Sequence, residues 1–169
     1  MGALLDRLRG RPRIQPVRIR EVWNSCIVSQ QEYFHKVLLN VIRRNEGMRD
    51  IFMASRSHAQ NDEERDFVLG QLANRITGWF GCLIMEDVIS NISEFRHSCY
   101  TMGQQHAAYS KEPFKIVYWD EFMVAMIEEL EEIGGVSKED LKAWQTFLHI
   151  ICEHILSGYQ EARATMRTV

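Results

Sequence analysis

The chemistry available to this chain centres on one histidine. His106 ends the segment Met102-Gly103-Gln104-Gln105-His106. Ile92, Phe95, Cys99 and Met102 recur at steps of three and four, and His106 is the next step on that stripe. An imidazole on the apolar face of a helix is either a hydrogen-bonded core residue or a donor aimed at whatever the helix covers. The other histidines have weaker claims. His97 lies off the stripe, and nine residues from His106 is not a ligand spacing on one helix. His149 and His154 are five apart, whereas two imidazoles share a helix face at four. His58 falls in a polar loop, and His35 follows the surface side of its helix. Cys26, Cys82, Cys99 and Cys152 form no C-x-x-C, which excludes the common zinc and dithiol motifs. They read as reduced, buried thiols of an intracellular protein.

The elements that must position these groups are helical throughout. Val22, Trp23, Cys26 and Ile27, then Phe34, Val37, Leu38, Val41 and Ile42, step at helical intervals over residues 17–44, with a bend between the two sets. Asn45-Glu46-Gly47 breaks the run before Met48 and Phe52. Residues 55–64 form a polar loop, and Asn61 with Glu64 makes a capping box for a helix that runs to about residue 90. Its face carries Leu69, Leu72, Ile76, Phe80 and Leu83. Pro113 suits a first helical position, and Phe114, Val117, Phe122, Met126 and Leu130 carry the next helix to Gly134-Gly135. Ser137 with Asp140 repeats the capping signal before Leu141, Trp144, Phe147, Leu148, Ile151, Ile155 and Tyr159. No repeat or linker divides these elements. The expected organisation is a flexible basic arm over 1–16, one all-α domain over 17–162 and a tail over 163–169.

Composition bounds the partners. The chain has 169 residues, 46% hydrophobic and 25% charged, with a formal net charge of -3. This describes a globular, soluble domain with no strong field for nucleic acid. No run of eighteen apolar residues occurs, so stable membrane insertion is not expected. Residues 1–20 carry six arginines and only Leu4-Leu5 as an apolar pair, which does not make a secretory signal. Gly2 is followed by Leu5 and Asp6, a poor context for myristoylation, so the arm reads as a solvated tail. The expected location is the cytoplasm.

Four spaced signals resemble the globins, most closely the nematode-type branch and neuroglobin. Trp23 resembles the first-helix tryptophan, and it lies 29 residues before Phe52, which resembles the heme-packing phenylalanine. Gly103-x-x-His106 is similar to the segment bearing the proximal histidine. Thirty-eight residues later, Ala143-Trp144 with Phe147 and Leu148 resembles the start of the final globin helix, and Tyr118-Trp119-x-x-Phe122 is typical of the nematode branch. The resemblance covers roughly residues 17–160. It implies a globin fold in three-over-three packing, one b-type heme (iron protoporphyrin IX), and His106 as the axial iron ligand. A neutral imidazole supplies the strong axial donor that heme iron needs. Its other ring nitrogen is expected to donate to a carbonyl one turn back. Phe52 would lie against the ring, with Met102 beside it.

On the other side of the iron the chain departs from common globins. Leu72 falls where many members carry a distal histidine, with Ile76 one turn later and Leu38 at the other distal aliphatic position. A register one residue earlier puts Gln71 there instead. The apolar stripe 69-72-76-80 favours Leu72. Arg75 either reaches a heme propionate or the ligand, or is a solvated arginine on the helix shoulder. An apolar distal face withholds from dioxygen a hydrogen bond worth about 1 kcal/mol or more. The expected function is therefore binding of dioxygen or another diatomic, in carriage, sensing or redox, without enzymatic turnover. A heme-dependent peroxidase would want a distal acid-base group that Leu72 and Ile76 do not offer. A heme-free globin-fold interaction module is the alternative, and a homodimer is compatible with either.

Overall fold

A computed structural model describes residues 13–53, 61–109 and 115–166. Helix α1 (Pro16–Val22) opens on a proline, whose fixed φ and missing N–H suit the first helical turn. It runs into a π-helical turn at Trp23–Ile27, and the chain leaves helical form before α2 (Tyr33–Arg44), which is the expected bend. Asn45 alone separates α2 from α3 (Glu46–Met53). Asn61 caps α4 (Asp62–Ile84), its Oδ1 accepting from the Glu64 backbone N–H at 2.8 Å. Asp62, Glu63 and Glu64 then place negative charge at the positive end of the helix dipole. The helix expected to reach residue 90 breaks at Met85, where ψ turns to 143°, and restarts as the short α5 (Glu86–Ser90). Helix α6 (Ile92–Tyr109) carries His106. Helix α7 (Ile116–Ile133) stops at Gly134 and Gly135, both at φ +75°, a backbone that L side chains rarely adopt. Ser137 Oγ accepts from the Asp140 N–H at 3.1 Å and starts α8, which spans Lys138–Met166 and so continues past residue 162. Among the described residues there is no strand. The basic arm up to residue 12, His58, Pro113 and Phe114 lie outside them.

The helices pack three over three, α1, α4 and α6 against α2, α7 and α8. Contacts of α1 on α8, α4 on α2 and α6 on α8 join the layers. Phe34 anchors one half of the core, with Tyr33 edge-on at 5.0 Å, Phe80 at 5.3 Å and Trp23 at 6.3 Å. Each such pair adds about 0.5–1.5 kcal/mol beyond the area it buries. Phe147 anchors the other half, between Phe95 at 5.7 Å and Trp144 at 5.4 Å. Arg18 ties α1 to the start of α8 through Asp140 at 2.7 Å.

Three surface assignments differ from the periodicity. Ile92 and Val117 stand at the first turns of their helices and are exposed. Among the cysteines only Cys99 and Cys152 are buried; Cys26 is half-buried and Cys82 exposed. His35 is also more than a surface residue. Its Nε2 is buried and lies 3.0 Å from Asp66 Oδ1 on α4, a close contact not aligned as a hydrogen bond.

Candidate functional site

His106 stands near the end of α6, half-buried. Its Nδ1 lies 2.9 Å from the Met102 carbonyl oxygen, one helical turn back, which is the contact expected for it. A carbonyl only accepts, so Nδ1 carries the proton and Nε2 carries the lone pair. Burial pulls the pKa below the ordinary histidine value, and the Met102 hydrogen bond pulls the other way more weakly. The ring is therefore neutral near pH 7, the form that can donate an electron pair. The Trp119 ring, from α7, lies 5.1 Å from the imidazole at an angle of 58°.

The other expected residues gather on the same core with different degrees of closure. Leu38 is fully buried in α2. Phe52, Leu72, Ile76 and Met102 are half-buried and pack against the core cluster. Trp119, Phe122 and Met123 from α7 belong to the same half-closed set. Arg75 is exposed. Gln71 lines a surface hollow of about 300 Å³ with His35, Asp66 and Gln31, beside Phe67. Ala73, next after Leu72, is buried where α4 meets α2.

Helices α4 and α6 share next to no backbone contact among the described residues, although each packs firmly on a helix of the other layer. An apolar α4 face (Leu72, Ile76) and a neutral imidazole on α6 thus belong to two helices held apart. This donor set, one tautomer-fixed imidazole with apolar and aromatic neighbours, suits heme iron. It does not suit a metal held by protein ligands alone, which needs three or four donors; the described residues contain no such group of His, Cys, Asp or Glu.

A family model described as Globin matches residues 35–155, more than two thirds of the chain. The chain belongs to the globin family. The match begins within α2, so α1 and Trp23 lie before it, and it ends at Ile155, before the last turns of α8. No curated protein matches the chain. No described helix of this globin is long and apolar enough to cross a membrane.

Two features of the site escaped the sequence reading. Trp119 stands in the sequence as part of the Tyr118-Trp119-x-x-Phe122 resemblance, but its contact with His106 joins two helices and leaves no local signal. The pair Asn40 and Glu129, buried between α2 and α7, is the second. Asn40 Nδ2 donates to Glu128 Oε2 at 3.1 Å and Glu129 Oε1 at 3.2 Å, while Arg44 donates to Asn40 Oδ1 and pairs with Glu128. A signal existed for it: one asparagine interrupts the apolar run from Val37 to Ile42.

Proposed function

We propose that this globin binds one b-type heme through His106 Nε2 and presents an apolar distal face to a diatomic ligand, dioxygen foremost. The observation that carries the reading is the Nδ1 hydrogen bond to the Met102 carbonyl in a family whose members use such an imidazole. Bound heme would supply an iron centre able to take a diatomic ligand. The protein's share is positional. Met102 holds the imidazole in the donating tautomer, and Trp119 restricts its rotation. Phe52, Leu38, Leu72 and Ile76 would line the porphyrin with side chains that exclude water, and Arg75, exposed on α4, would pair with a propionate. Leu72 is taken as the distal residue in this reading, which is supported by Gln71 lining the surface hollow beside His35 and Asp66. None of the distal side chains can donate or accept a proton, which favours reversible binding over turnover. The protein acts in the cytoplasm as a nematode-type globin that carries, senses or exchanges electrons with its ligand.

Hemin titration tests this reading. One equivalent should produce a Soret band, and His106→Leu should release hemin at least tenfold faster. A chain with no Soret band after titration is instead a heme-free interaction module. An unchanged spectrum in His106→Leu would mean that another residue holds the iron.

A further inference from the structure

We infer that a glycine-to-glycine helix crossing, Gly103 on α6 against Gly158 on α8, sets where His106 stands and thereby tunes its bond to iron. The inference rests on the heme reading above. A methyl carbon built on Gly103 would lie 1.9 Å from the Ile155 carbonyl oxygen and 2.8 Å from the Tyr159 nitrogen. One built on Gly158 would lie 2.0 Å from the Tyr100 carbonyl oxygen. The two backbones therefore touch with no side chain between them. Gly70 and Gly78 on α4, by contrast, have nothing within 4 Å of the same position.

The pairings also give direction. Phe95 meets Phe147, and Gly103 meets Ile155 and Tyr159, so contacts advance together and α6 runs parallel to α8 along the most extensive helix interface in the fold. A glycine inside a helix is about 1 kcal/mol worse than alanine. Two at one crossing are a standing cost that close approach explains. The contact sits where it matters for the site. Gly103 follows Met102, whose carbonyl holds His106 Nδ1, and precedes His106 by three residues. Packed interiors compress little, so any change in the α6–α8 distance passes directly to the imidazole. Gly103 and Gly158 are positioning residues; neither touches the reacting atoms.

The test is Gly158→Ala, which alters α8 and leaves α6 intact. To reach an ordinary 3.4 Å contact the helices must part by about 1.5 Å. In the hemin-loaded ferrous protein the iron–histidine stretching band in resonance Raman should shift, and hemin loss should accelerate about tenfold, with helical content unchanged. Phe147→Leu, about three turns away on the same seam, should leave the band in place. Adding Gly158→Ala to His106→Gly supplied with free imidazole should also leave the band in place, because that ligand is not tethered to α6. An unmoved band and unchanged hemin loss in folded Gly158→Ala overturn the inference, as does a Phe147→Leu shift of equal size. If Gly158→Ala does not fold, the wild type still decides. Coupling is reciprocal, so hemin should slow amide exchange at Gly103 and Tyr159 at least tenfold, and equal rates with and without hemin overturn the inference. A wild type lacking any iron–histidine band overturns the heme reading itself, whereas a wild-type band indifferent to Gly158→Ala overturns only the positioning.

Discussion

His106 gives the site a pH signature that follows from its burial. In the unfolded chain the ring titrates near 6.5, and in the folded protein lower. Between those values the unfolded state binds the extra proton, so acid favours unfolding and stability falls as pH drops below about 6.5. Urea unfolding of the heme-free protein at pH 7.5 and 5.5 should show this loss, and His106→Leu should reduce it. His154 is lowered too, by burial and by Arg96, but it is partly exposed and contributes less, so His154→Gln should reduce the slope only slightly. A slope untouched by His106→Leu would remove the buried neutral imidazole from the account. On the distal side, ferrous wild type should be five-coordinate and high-spin, and Leu72→His should either slow dioxygen release or give a six-coordinate spectrum. Each 1.4 kcal/mol gained by a new hydrogen bond is tenfold in affinity. Much of this was legible in the sequence, because helical period placed Phe95, Cys99, Met102 and His106 on one stripe. Trp119 beside the imidazole was not, since two helices brought together by the fold leave no trace in either segment.

At the scale of elements, α2 and α7 are held by a polar contact as well as by Val37, Leu38 and Val41. Asn40 is 8% exposed and Glu129 5%. Asn40→Ala would strip a buried carboxylate of its amide donor, a change that should lower stability by roughly 2–4 kcal/mol. The double variant Asn40→Leu/Glu129→Leu should recover most of that loss, as measured by the urea midpoint, since no buried polar group is then left without a partner. A single variant within about 0.5 kcal/mol of wild type would mean that water already serves Glu129. Caps and stops were legible where the residue itself does the work: Asn61, Ser137 and the Gly134-Gly135 pair all act where expected. The break at Met85 was not, because methionine is a good helix former and the turn there belongs to tertiary packing. The parallel seam of α6 on α8 was invisible for a related reason. G-x-x-H reads as a ligand signal, and only the partner backbone reveals what Gly103 is for.

Across the whole molecule, thiol chemistry reports how well the two halves of the core are closed. Cys82 is exposed, Cys26 half-buried, and Cys99 and Cys152 are buried, with burial pushing each of the last two thiols up to about 12. Since the thiolate is the reacting form, a neutral-pH thiol reagent should label Cys82 quickly and Cys26 more slowly in the native protein. Cys99 and Cys152 should react only after denaturant opens the chain. Rapid native labelling of all four would mean that the α6–α8 seam opens often. Hemin should suppress whatever slow labelling of Cys99 remains, because a ligand bound only to the folded state lowers the open population.

The π-helical turn at Trp23–Ile27 bears on how insertions and deletions in this segment should be read. Such a turn holds one residue more than the α-helix would use, and each residue in a helix rotates the chain by about 100°. Deleting Asn24 or Ser25, both exposed, would therefore leave a longer and more regular helix. It would also swing Ile19 and Val22 relative to Phe34, Phe80 and the start of α8. A one-residue gap placed here when chains are aligned is thus a rotation of the first helix about its own axis rather than the trimming of a surface loop.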